Sequence, residues 1–180
     1  MTEVTTIDHW LDGKPAEGTG TRTAEVFDPA TGAVSAHARL ASERDVDTAV
    51  SSARAAFTQW RGASLSKRTA VLFAMREIVS ERRRELAEVI TAQHGKVLGD
   101  ALGEVQRGLE VIEFACGIPH QLKGSHSEQV STNVDVHSIR QPVGVTVGIT
   151  PVQLPGDGAV VDVSGGDRMR QLVHPQALRT

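Results

Sequence analysis

Apolar and polar positions change period three times along this chain, and each change predicts a different kind of element. Residues 7–40 are punctuated by Asp12-Gly13-Lys14-Pro15, Gly18-Thr19-Gly20 and Asp28-Pro29-Ala30-Thr31-Gly32, with short stretches such as Glu25-Val26-Phe27 between them. Turn residues at that density predict a meander of short strands. Ser42 followed by Asp45 forms a capping-box pattern. Val46, Ala49, Val50, Ala53, Ala56, Phe57 and Trp60 then recur at helical spacing. A longer helix is expected over residues 66–94, with Val71, Leu72, Met75, Ile78, Val79, Leu86, Val89 and Ile90 as its buried stripe and Gly95 as its C-cap.

A third helix is expected over residues 98–122, with Ala101, Val105, Leu109, Ile112 and Ala115 facing inward and Gly117 and Pro119 interrupting it. The three apolar stripes predict a cluster of three helices with a shared interior. Residues 124–132 read as a polar loop, and Val134, Val136 and Ser138 alternate as in a half-exposed strand. Residues 143–149, Val-Gly-Val-Thr-Val-Gly-Ile, are a short β-branched apolar run, the signature of a strand buried on both faces. From residue 156 to 180 no period survives and glycines interrupt, which predicts a disordered tail. The expected architecture is α/β, with residues 1–151 as one region and 152–180 as an irregular extension.

Composition narrows the class of function. Hydrophobic residues make up 39% and charged residues 23%, so a packed core is possible. A formal charge of −3 argues against nucleic acid or a membrane surface as partner. A single cysteine excludes an internal disulfide and fits a reducing compartment. Residues 1–10 lack the layout of a secretory or transit signal, and no apolar run reaches membrane-spanning length. The expectation is a soluble cytoplasmic protein.

Few residues carry chemistry on spacing alone. Cys116 shares a helical stretch with Ile112 and Ala115 and has no histidine or base at a spacing that would activate it, so it reads as a small buried apolar residue. The seven histidines show no ligand spacing, and no metal is expected. Gly156-x-Gly158 imitates the start of a dinucleotide loop but lacks the third glycine and a following amphipathic helix. Arginines 82–84 are flanked by Glu81 and Glu85 and read as a solvated helix face. Spacing pairs Arg107 with Glu104 or Glu110, one helical turn away on either side.

Several of these stretches resemble the aldehyde dehydrogenase superfamily. They are Gln93-His94-Gly95-Lys96, Arg140-Gln141-Pro142-Val143-Gly144-Val145 and Gly148-Ile149-Thr150-Pro151. Arg107-Gly108-Leu109-Glu110, Glu113-Phe114-Ala115-Cys116-Gly117 and Gln129-Val130-Ser131-Thr132 resemble the CoA-acylating methylmalonate-semialdehyde dehydrogenases in particular. The resemblance spans residues 7–151. It implies NAD-dependent oxidation of malonate or methylmalonate semialdehyde, acyl transfer to coenzyme A and loss of carbon dioxide, as in valine or inositol catabolism. It also implies that Arg107 binds the substrate carboxylate, a task suited to a guanidinium's parallel donors. Ile149 and Thr150 would lie against the cofactor. The family's nucleophilic cysteine and its acid/base glutamate fall beyond Thr180, so no catalytic residue is assigned here.

The resemblance stops at Pro151, and the break has a specific form. Val152-Gln153-Leu154-Pro155 can be encoded as GTT CAA CTT CCC, which one base later reads Phe-Asn-Phe-Pro, the segment that supplies the family's oxyanion-stabilising asparagine. The same shift carried to Thr180 with synonymous codons gives a string resembling the first helix and second strand of the cofactor domain, including its ribose-binding Lys and Glu. A frameshift near Val152 is therefore expected. Two readings follow: a dehydrogenase portion inactive by itself, or a non-enzymatic module that joins a full-length relative through the bridging strand at residues 134–140. In either, the strand at 143–149 would lack its neighbours and expose its apolar faces.

Overall fold

In the computed structural model, residues 5–149 are described. Five short strands open the fold: β1 (Thr5–Ile7), β2 (His9–Leu11), β3 (Lys14–Ala16), β4 (Thr23–Phe27) and β5 (Val34–Arg39). β2 and β3 form a hairpin, while β5 lies between β1, which it pairs in parallel, and β4, which it pairs antiparallel. Four helices of two turns or more and one short helix follow: α1 (Glu43–Trp60), α2 (Leu65–Glu81), α3 (Arg83–His94), α4 (Leu98–Cys116) and α5 (Ile118–Gln121). A hairpin of β6 (His126–Ser131) and β7 (Val134–His137) completes the described chain.

The capping box at Ser42 forms as the sequence predicts. The Ser42 hydroxyl accepts from the Asp45 amide at 3.2 Å, and the Asp45 carboxylate accepts from the Ser42 amide at 2.9 Å. Asp45 also accepts from the amides of Thr19 at 2.8 Å and Gly20 at 3.1 Å and from the Thr19 hydroxyl at 3.0 Å. One carboxylate thus ties the arm around residue 19 to the start of α1.

These donors, the Ser42 amide foremost, hold the Asp45 carboxyl far below the ordinary carboxylate range, against the opposing effect of desolvation. Because the folded state lowers this pKa, the resulting stability is complete above the unfolded value, about 4, and is lost as pH falls below it. Amide exchange at residues 42–48 should therefore accelerate below about pH 4. Asp45→Asn should raise exchange there at neutral pH and remove most of the acid dependence. An unchanged acid profile in that variant would assign the dependence to other carboxylates.

The core lies between α4 and the pair α2–α3. Ala101, Val105, Leu109, Ile112 and Ala115 are all buried on α4, the stripe predicted for it, and Ile112 is 1% exposed. Ala87 of α3 joins Ala101 and Val105, with Val79, Leu86, Ile90, Leu98 and Leu102 packed around them. Gly117 ends α4 and Pro119 sits in the first turn of α5, as expected. Gly95 takes the left-handed C-cap (φ 79°), and a Cβ there would meet the Pro29 ring at 3.2 Å, so both conformation and space require glycine.

Four expectations need correction. The helix over 66–94 is two helices, α2 and α3, broken at Arg82 (φ −98°, ψ 14°). Ile78 and Val89, expected on the buried stripe, are 54% and 57% exposed, while Val79, Leu86 and Ile90 pack against the core. The break leaves arginines 82–84 in solvent, where Arg82 pairs Glu85 at 2.5 Å and Arg84 pairs Glu88 at 3.0 Å. It also turns Leu86 and Ile90 back toward α4. The arginine run is a solvated face, as its flanking glutamates indicate.

Second, α1 does not share the helical interior. None of its residues is buried, and its stripe faces an open cleft together with the β2–β3 hairpin. Third, residues 124–132 are not all loop, since β6 pairs with β7 across a bulge. A side chain of that hairpin stabilises its irregular backbone: the backbone N–H of Gln129 (φ 51°) donates to the Asp135 carboxylate at 2.9 Å, and Asn133 (φ 62°) supplies the turn. Both strands are exposed along their whole length, beyond the half-exposure expected of residues 134–138.

Fourth, residues 143–149 form no strand and join none of the three sheets. Val143, Val147 and Ile149 are 93%, 78% and 87% exposed, which agrees with the expectation that missing neighbours would leave this run uncovered. A β-branched run favours extended backbone, but a ladder needs a partner strand, and none is present among the described residues. The proposed tail at 152–180 and its frame lie outside the described residues.

Candidate functional site

The residue with the strongest chemical expectation, Arg107, stands on the outer face of α4. The opposite face of that helix is clamped by the core, and Gly108 beside Arg107 is buried. Arg107 itself is exposed. Neither partner suggested by spacing takes it. Glu104 is buried and pairs with Lys96, while Glu110 accepts from the Gln106 amide nitrogen at 3.2 Å. Arg107 therefore carries no ion pair among the described residues, and its guanidinium faces solvent from a rigid helix.

The Lys96–Glu104 pair is the electrostatic feature that motif reading missed. Lys96 follows the Gly95 C-cap, which aims its side chain across to α4. Its side chain is 13% exposed and that of Glu104 6%. Glu104 Oε1 accepts from Lys96 Nζ, and Oε2 is buried without a hydrogen-bond partner among the described residues. A signal was available: Glu104 falls in register with Ala101, Val105 and Gly108 on the apolar stripe, where a carboxylate must find a cation.

Beside Ile112 on α4, Glu113 accepts from Arg76 of α2, which donates from Nε at 3.0 Å and from a terminal nitrogen at 2.9 Å, and also to Glu77 at 2.7 Å. These carboxylates, Glu77 first, raise the Arg76 pKa above its ordinary value. Cys116 is buried nearby, and its thiol pKa is pushed up mainly by burial and further by Glu113, with Arg76 opposing. A thiol shifted upward is a poor nucleophile at neutral pH, in line with the reading of Cys116 as a packing residue.

The expected cofactor-side residues lie elsewhere. Residues 145–148 form one wall of an open cleft of about 790 Å³, whose other walls include Trp10 of β2 and Val46 and Ala49 of α1. No residue of α4 lines this cleft, so Arg107 and the 145–149 segment do not share one site in the described structure. Ile149 is almost fully exposed, and Thr150 lies outside the described residues, as does Gly156-x-Gly158. Among the described residues no helix is long and apolar enough to cross a membrane, and no three His, Cys, Asp or Glu side chains converge.

Comparison with known proteins matches this arrangement to one family. The model of the aldehyde dehydrogenase family matches residues 16–162. A malonate-semialdehyde dehydrogenase of Pseudomonas aeruginosa is 39% identical over 150 residues, covering 83% of this chain and 30% of that protein. A malonate-semialdehyde dehydrogenase of Geobacillus kaustophilus is 37% identical over 153 residues, covering 85% and 31%. Among solved structures, a methylmalonate-semialdehyde dehydrogenase of Oceanimonas doudoroffii is 38% identical with a TM-score of 0.81, over 97% of this chain and 33% of its own. A Sinorhizobium meliloti protein described as a methylmalonate-semialdehyde dehydrogenase, solved with NAD, is 40% identical with a TM-score of 0.82, over 87% and 32%. The chain spans about a third of the length of these relatives. With the family model matching well over half of its residues, the chain belongs to the aldehyde dehydrogenase family.

Proposed function

We propose that this chain is part of a CoA-acylating, NAD-dependent dehydrogenase of malonate or methylmalonate semialdehyde, and that Arg107 binds the substrate carboxylate. The observation that carries the reading is the unpaired guanidinium of Arg107, fixed on a rigid helix within a segment 39% identical to a malonate-semialdehyde dehydrogenase. A carboxylate is what distinguishes a semialdehyde acid from a plain aldehyde, and two parallel N–H donors match it.

The described residues do not by themselves fit a dinucleotide. Residues 143–149 form no strand edge for one to lie against. Within the complete fold, Ile149 and Thr150 lie on the cofactor side.

Acting alone, the 180-residue chain should not reduce NAD with malonate semialdehyde or any simple aldehyde, with or without coenzyme A. The aldehyde needs a thiolate to attack it and donors for the resulting oxyanion. The chain's single cysteine has its thiol raised by burial. Turnover above background that disappears in Cys116→Ser would overturn this.

We read residues 152–180 as shifted by one base, which places Phe-Asn-Phe-Pro after Pro151 in the parent frame. Sequencing the DNA through and beyond the Thr180 codon tests this, and a stop codon soon after the repaired site would refute it. The exposure of the β6–β7 hairpin favours a second reading. Val134, Val136 and Ile139 are 45%, 51% and 71% exposed, so this element offers a free edge to a full-length relative. Co-purification of the tagged chain with such a relative, abolished by Val136→Asp, would support it.

A further inference from the structure

Among the four long helices only α4 contains glycine. Gly99 lies in its first turn and Gly108 is buried, which leaves Gly103 as the interior glycine that no contact explains. It is half-buried, on the turn that precedes Arg107. Nothing in the described fold asks for glycine there. Its backbone is helical, unlike that of left-handed Gly95, and a Cβ built on it would meet nothing within 4 Å among the described residues. Glycine is the poorest helix former after proline, so this position gives up local stability that alanine would supply.

A side chain on a helix leans toward the N-terminus and covers the turn before its own Cα. For Arg107 that turn carries Gly103, four residues earlier. An anion held by the guanidinium therefore sits beside a stretch of helix with no side chain. The chemistry of the two candidate substrates gives that gap a use. Malonate semialdehyde has a plain methylene between its aldehyde and its carboxylate. Methylmalonate semialdehyde carries a methyl on that same carbon, the one bonded to the carboxylate. Once the carboxylate is fixed, the methyl is held next to the residue that fixes it.

We propose that Gly103 is a specificity-determining position, whose missing side chain makes room for the methyl of a branched semialdehyde acid bound through its carboxylate to Arg107. The proposal rests on Arg107 as the carboxylate-binding residue and adds the substrate class, acids branched at the carbon between aldehyde and carboxylate. The glycine then serves the ligand and not the fold. A methyl on the protein and a methyl on the substrate compete for one volume, and a group of that size is discriminated by about 10–200-fold in a closed pocket.

Residues 1–151 of this chain, fused to the part of the Pseudomonas aeruginosa malonate-semialdehyde dehydrogenase that follows its matched segment, allow steady-state kinetics whatever the frame beyond Pro151. Gly103→Ala should lower kcat/KM for methylmalonate semialdehyde about tenfold more than for malonate semialdehyde, and Arg107→Leu should lower both alike. If Gly103→Ala leaves the ratio of the two substrates unchanged while Arg107→Leu loses both, the proposal is overturned and the carboxylate reading stands. If Arg107→Leu keeps both substrates, the carboxylate reading fails and the proposal falls with it. The 180-residue chain supplies a second measurement that needs no turnover. Gly103→Ala should raise its urea midpoint, as expected where a helix gains a better former and meets no neighbour. A lower midpoint would assign the glycine to packing and overturn the proposal.

Discussion

Arg107→Leu, introduced into a protein carrying the frame proposed at the Val152 codon, should cut kcat/KM for methylmalonate semialdehyde by about thirtyfold or more and leave propionaldehyde nearly untouched. The asymmetry is the substance of the expectation. Only the semialdehyde acid offers an anion to the guanidinium, and in a closed, desolvated site a charge-assisted pair contributes roughly 2–5 kcal/mol to transition-state binding. In the described structure the guanidinium is not engaged elsewhere, since Glu104 is held by Lys96 and Glu110 by Gln106. No internal ion pair must then break before a substrate binds. Steady-state kinetics on the two substrates decide the matter, and equal losses on both would make Arg107 a structural residue of α4.

Lys96→Met should destabilise the chain by about 3–5 kcal/mol, a large share of the 5–15 kcal/mol typical of a whole domain. The pair lies where α3 ends and α4 begins, and Glu104 is 6% exposed. Removing the cation leaves a buried carboxylate with one oxygen already lacking a hydrogen bond, so its surroundings must open to let water reach it. The double change Lys96→Met with Glu104→Met should recover most of the loss, because burying two apolar chains costs far less than burying one orphaned charge. Urea melts followed by helical circular dichroism measure both. A single variant that melts like the parent would show the pair to be solvated in solution.

The helices and their boundaries were largely legible before any coordinates. Ser42 and Asp45 mark the start of α1, Gly95 the end of α3, and the stripe from Ala101 to Ala115 the buried face of α4, because caps and 3.6-residue periods act locally. Family membership was legible too, since motifs such as Arg107-Gly108-Leu109-Glu110 are linear. Other features depend on what each segment meets in space. The break at Arg82 divides an apolar period that the linear pattern reads as one helix. The polar β6 becomes a strand because β7 supplies its ladder, while the strongly β-prone 143–149 joins no sheet among the described residues. Arg107 shows the division within one side chain. The sequence placed it between two glutamates and could not say which, if either, would hold it. The tertiary structure gave one glutamate to Lys96, a partner defined only by the turn at Gly95, and the guanidinium was left free.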